Sequence, residues 1–194
     1  HTAMDLQSMR FGIEIETLGI TRQRAAQAVA SVVGGTLGHV TAYDASTVQM
    51  ADGRVWKAMR DSSIRGEGAE IGVAEVVSPI LTYQDLPRLQ EVVRALRAAG
   101  ARVNESCGIH IHVDAAGFNA KTLGNLARLI YKQEPLIEKA LGIRQQRLTT
   151  YTKPVRTRFI SQLEAAKPAT LEALAEVWYE GPSRAFCHYD ESRY

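Results

Sequence analysis

The sequence predicts a domain of mixed strands and helices, and three observations carry that expectation. Residues 9–17 (MRFGIEIET) and 108–114 (GIHIHVD) alternate apolar and polar side chains with the period of a half-buried strand. Residues 47–60 (TVQMADGRVWKAMR) hold two β-type runs around Ala51, Asp52 and Gly53, a hairpin signal. Helical stripes lie among them, the clearest being Leu86, Leu89, Val92, Val93 and Leu96. With 194 residues, 45% of them hydrophobic, residues 5–194 are expected to form a single domain, and residues 1–4 (HTAM) read as a tag remnant.

Along the first strand Phe11, Ile13 and Ile15 face one way and Glu14 and Glu16 the other. Two carboxylates about 6 Å apart repel by roughly 3 kcal/mol at an effective dielectric near 20, so the pair marks either a solvated edge or a place for a cation or an arginine. Thr21 caps a helix carrying Ala25, Ala28, Val29, Val32 and Val33 and ended by Gly34 and Gly35. The hairpin leads into Asp61 and a glycine-rich connection, SSIRGEGAEIG, without a dinucleotide or phosphate-loop spacing. Residues 74–78 (AEVVS) form a short strand presenting Glu75 and stopping before Pro79. Asp85 is expected to cap the next helix, with Gly100 as terminator. The GIHIHVD strand then sets His110, His112 and Asp114 on one face, where side chains two residues apart can converge on an ion. Asp114, the furthest along, serves equally well as a cap for the following loop. Asn119 caps a helix with Leu123, Leu126, Leu129 and Ile130 as its core face and Pro135 as its break. Arg144, Arg147, Tyr151, Arg156 and Arg158 crowd the next connection, and residues 157–165 and 170–178 read as a helical pair. Most such arginines are solvated or cap helices, and one or two suit phosphate clamping.

Composition removes several classes. A net charge of +2, from 23 basic and 21 acidic residues, gives no basis for a nucleic-acid or membrane-surface partner. No apolar run approaches the roughly 20 residues of a membrane span, and the two distant cysteines, Cys107 and Cys187, suit reduced thiols, so a cytoplasmic location is expected. Cys107 has no assignable base with an orienting partner, which makes a packed thiol its default over a nucleophile.

In sequence order the motifs are FGIEIE, Trp56 followed by DSS, EVVSP, a helix, and VNESCGIHIHVD. Together they resemble the amidoligase family, carboxylate-amine ligases related to glutamine synthetase and glutamate-cysteine ligase. The resemblance runs from about Arg10 to Asp114 and continues more weakly through Arg147 and Tyr151. It implies an α+β fold of the glutamine synthetase kind, a curved, mainly antiparallel sheet with helices on one face and a metal and ATP site on the other. Carried over by position, Glu14, Glu16, Asp61 and Glu75 match acidic metal positions, and His110 or His112 matches the histidine beside metal and phosphates. It further implies Mg²⁺, with Mn²⁺ as an alternative, and a small-molecule or peptide carboxylate activated by ATP as an acyl phosphate before an amine displaces phosphate. Carboxylates on neighbouring strands suit magnesium, and because imidazole is a softer ligand, one of His110 and His112 is expected on metal and the other on phosphate or substrate. Arg147 or Arg156 would stabilise the transferring phosphoryl group. The relatives continue into a strand reading like Glu-Phe-Arg, whereas this sequence ends at Ser192, Arg193 and Tyr194. The fold and site are therefore expected to lack their last strand, and the chain alone to turn over ATP poorly. Two other classes use the same residues: a zinc-dependent hydrolase built on the HxH strand, and a shortened, non-catalytic binding module.

Overall fold

The computed structural model describes residues 5–179. The expectations for residues 1–4, for Cys187 and for the sequence's last residues lie outside them. The chain divides into two compact units, His1–Asp114 and Ala115–Tyr194.

In the first unit the order is β1 (Phe11–Leu18), α1 (Arg22–Val33), β2 (Thr36–Val40), β3 (Ala45–Gln49), β4 (Val55–Met59), β5 (Val73–Val77), α2 (Leu86–Ala98) and β6 (Ile109–Val113). The strands form one open sheet in the order β2-β3-β4-β5-β1-β6, with every neighbouring pair antiparallel. The fold class is α+β, as expected. Alternation divides the sheet into two faces. Ile15 opposes Val76, Val76 opposes Ala58, and Trp56 opposes Val48; these residues are buried, and α1 packs on β2, β3, β4, β5 and α2. Glu14, Glu16 and Glu75 belong to the other face.

Local signals account for most boundaries. Thr21 Oγ1 accepts the Arg24 N–H and starts α1, whose buried Ala25, Ala26, Ala28 and Val29 let it sit close on the strands. The sequence reading passed over β2, whose five residues are all exposed and carry no clean alternation. Gly35, with φ +104°, places this strand: a Cβ there would come within 2.2 Å of Gln49 O. At α2 the cap differs from the expectation. Thr82 and Asp85 form a capping box around the preceding 3-10 turn, and Asp85 makes no side-chain cap to α2 itself, pairing instead with Arg54 at 3.1 Å. The α2 stripe is also narrower than predicted: Leu89, Val92 and Leu96 are buried while Val93 is 44% exposed.

The second unit contains α3 (Ala120–Leu141), α4 (Gln145–Thr150), α5 (Thr157–Ala166) and α6 (Leu171–Tyr179). Its core gathers Leu123, Ala127, Val155, Phe159, Leu163 and Trp178, with the Phe159 and Trp178 rings edge to face at 4.7 Å. Pro135 does not break α3: proline removes one hydrogen bond and kinks a helix, and the end comes at Gly142, whose φ of +64° accepts the left-handed cap. Leu129, expected in the core, is 56% exposed. Among the described residues no helix is long and apolar enough to cross a membrane.

Leu96→Ala is expected to lower unfolding free energy by about 2–5 kcal/mol in urea titrations. A loss well below 1 kcal/mol would contradict the burial of α2 against the sheet.

Candidate metal centre

The polar face of β1 lies between two partners that converge on it. Glu14 opposes His110 on β6 and Val77 on β5, while Glu16 opposes Glu75 on β5. The antiparallel register thus brings residues some 60 to 95 positions apart onto neighbouring strands, about 4.8 Å from one another. Asp61 arrives on the loop after β4. That loop is tied to the turn before β6: Asn104 Nδ2 donates to Arg65 O at 2.8 Å, the Arg65 N–H donates to Ser106 Oγ at 3.1 Å, and Ser106 Oγ also hydrogen-bonds Asn104 Oδ1. The NESC segment in front of the histidine strand is therefore a brace for the Asp61 loop. Cys107 Sγ sits 3.7 Å from Asn104 Oδ1 within this turn, matching its expected role as a packed thiol.

Glu14 Oε2 is hydrogen-bonded to His110 Nδ1 at 2.9 Å, and His110 Nε2 lies 3.8 Å from Glu16 Oε1. Glu16, with a side chain only 7% exposed, accepts the Gly108 N–H at 2.6 Å. His112 Nε2 is 3.2 Å from Glu14 Oε1 but poorly aligned, so this solvent-sealed nitrogen has no hydrogen bond. One ligand atom each from Glu14, Glu75 and His110 lies within 4.8 Å of the others, and the same holds for Glu16, Asp61 and Glu75. Around an octahedral ion with bonds near 2.1 Å, opposite donors stand about 4.2 Å apart and adjacent ones about 3.0 Å, so either triad could hold an ion once its side chains draw together. Glu75 belongs to both.

The electrostatics follow from this crowding. Burial, and then the charges of Glu14, Asp61 and Glu16, push the Glu75 carboxyl up to about 7. Burial acts in the same direction on Asp61, but the Ser63 N–H and hydroxyl, the Glu75 side chain and the charge of His110 outweigh it and hold Asp61 below the usual carboxylate range. The site thus holds one carboxyl that resists ionisation among others that carry charge.

The structure brings together Glu14, Glu16, Asp61, Glu75 and His110, with His112 against Glu14. Asp114 goes elsewhere: its Oδ2 takes both the Nε–H and an Nη2–H of Arg10, at 2.9 and 2.6 Å. Arg147 and Arg156 belong to the second unit, Arg147 in α4 with its guanidinium 5.2 Å from the Tyr151 ring centroid and Arg156 as the residue before α5. One contributor escaped the sequence reading: the Gly108 N–H is a backbone donor that no side-chain pattern announces. A hollow of about 720 Å³ lies away from the cluster, lined by Arg22, His39, Asp44 and Ser46 among others. It contains neither triad.

Glu75 has a definite pH signature in metal-free protein. Its folded value, about 7, lies above the ordinary carboxylate value of 4.5, so the unfolded chain releases this proton first as pH rises. Stability should fall between roughly pH 4.5 and 7 and level off above. Glu75→Gln is expected to flatten that fall in thermal melts across the range. An unchanged slope would show that Glu75 is not the strained carboxyl.

Residues 7–194 match the family described as "putative amidoligase enzyme". Searches of curated proteins and of solved structures returned no match. The family match spans nearly the whole chain and includes every residue of both triads: this protein belongs to the amidoligase family.

Proposed function

We propose that the chain is an ATP-dependent carboxylate-amine ligase that forms an amide through an acyl phosphate, acting on small-molecule or peptide substrates in the cytoplasm. The observation that carries this reading is the sharing of Glu75 between two triads on one sheet face. Paired sites with a common carboxylate suit two divalent ions a few ångströms apart, the arrangement used to clamp phosphoryl groups. The donor set of four carboxylates and one imidazole favours Mg²⁺, or Mn²⁺, over zinc. His112 Nε2 lies 3.2 Å from Glu14 Oε1, beside the proposed ligand group.

Mg²⁺ held by these residues would supply Lewis-acid charge neutralisation for a phosphoryl group. The chain's own residues divide the rest. Glu14, Glu75 and His110 form one ligand group, and Glu16, Asp61 and Glu75 the other; the Gly108 and Ser63 donors fix Glu16 and Asp61 in orientation. A substrate carboxylate oxygen takes the γ-phosphoryl as ADP leaves; the amine nitrogen then attacks the acyl carbon, phosphate departs and the nitrogen loses a proton.

Calorimetric titration of ADP or a non-hydrolysable ATP analogue, with and without Mg²⁺, tests this. Binding should require metal and be lost in Glu14→Gln. Metal-independent binding, equal in both proteins, would remove Glu14 from the site, while stoichiometric zinc with no nucleotide affinity would replace the ligase by a metal hydrolase. His110→Ala should weaken metal-dependent binding more than His112→Ala, because only His110 belongs to a triad; equal losses would contradict that division.

A further inference from the structure

Among the described residues, the six strands contain one lysine and no arginine: Lys57, in the middle of β4. Its flanking residues Trp56 and Ala58 are buried at 2% and 1%, so alternation turns Lys57 to the opposite, acidic face, where it is exposed. Register makes the placement definite. Lys57 opposes Val77, Val77 opposes Glu14, and Glu14 opposes His110, so one row crosses β4, β5, β1 and β6 on a single face. Two strand spacings set Lys57 about 9.6 Å from Glu14. It is also the diagonal neighbour of Glu75, at a nominal 7–8 Å between Cα positions.

A flexible ammonium at that range from four clustered carboxylates would ordinarily collapse onto one of them. Among the described residues it does not: Lys57 makes no ion pair or hydrogen bond. Glu75 lies diagonally beside it, with Glu14, Glu16 and Asp61 as its acidic neighbours. The surface therefore sets an available cation beside an acidic pocket, offset from it by the width of one intervening strand. A ligand with an anionic group at each end of a short chain, one end on metal and the other reaching over Val77, meets both. We propose that Lys57 is a binding residue for the phosphate chain of a metal-bound polyphosphate, gripping the phosphoryl oxygens not held by the two triads. This rests on the metal and phosphate reading of the acidic face.

The test is calorimetric titration of Mg²⁺-tripolyphosphate and Mg²⁺-ADP into wild type, Lys57→Ala, Lys57→Arg and Glu14→Gln, at two salt concentrations. Loss of one charge-assisted contact should weaken binding of both probes about tenfold in Lys57→Ala and make its salt dependence shallower. Lys57→Arg keeps the charge and should stay within about threefold of wild type. Since Lys57 is exposed, melting temperatures should not change. Wild-type affinity in Lys57→Ala, with binding still lost in Glu14→Gln, overturns the role of Lys57 and leaves the metal site standing. Equal weakening in Lys57→Ala and Lys57→Arg, or weakening accompanied by a lowered melting temperature, also overturns it, because the effect would then be one of shape or stability. No binding to wild type overturns both readings.

Discussion

Strand β1 must satisfy two opposite demands at each step, and the first unit is arranged around that constraint. Of its odd positions, Phe11 and Ile13 pack against the apolar core and Ile15 and Thr17 are buried, while Glu14 and Glu16 stand on the other side. Because side chains alternate with period two, a slip of one residue against β5 or β6 would drive two carboxylates into the core and lift Ile13 and Ile15 onto the polar face. The hydrophobic layer thus sets the register, and the register assembles the acidic face.

Holding that face together has an electrostatic cost. Burial, and then the charges of Glu14, Asp61 and Glu16, push the Glu75 carboxyl up to about 7. The fold offsets the repulsion only in part, through backbone donors at Gly108 and Ser63 and through His110 against Glu14. Part of this repulsion is left standing, and in the proposed reading a bound divalent ion would remove it. The same logic gives meaning to the unpaired Lys57, a cation the surface does not spend on its own carboxylates.

The second unit solves a different problem with related means. Glu134, only 4% exposed, accepts the Val155 N–H with both carboxylate oxygens, at 3.1 and 2.9 Å, and burial pushes its carboxyl up to about 7. That contact ties α3 to the residue preceding Arg156, so the arginine-bearing connection is anchored at its end. Pro135, next to Glu134, leaves α3 continuous through this point.

Period-two alternation in FGIEIET and GIHIHVD was enough to identify β1 and β6 and to name Glu14, Glu16 and His110, because a strand's faces are fixed by its own sequence. The helix caps at Thr21 and Asn119 were legible for the same local reason: a short polar side chain meets an N–H three residues on. Where the order of motifs was distinctive, it also carried the family. What local sequence could not supply was partnership. That β1 lies between β5 and β6, that Glu75 serves two triads, that Asp114 is taken by Arg10, and that Lys57 shares a row with Glu14 all depend on pairings between distant segments. The exposed strand β2 has no apolar face to betray it, and the end of α3 was decided by Gly142 rather than by Pro135. The sequence by itself determined which titratable residues share a strand face; only the tertiary structure decided which of them meet, because antiparallel register is a long-range agreement between strands that none encodes alone.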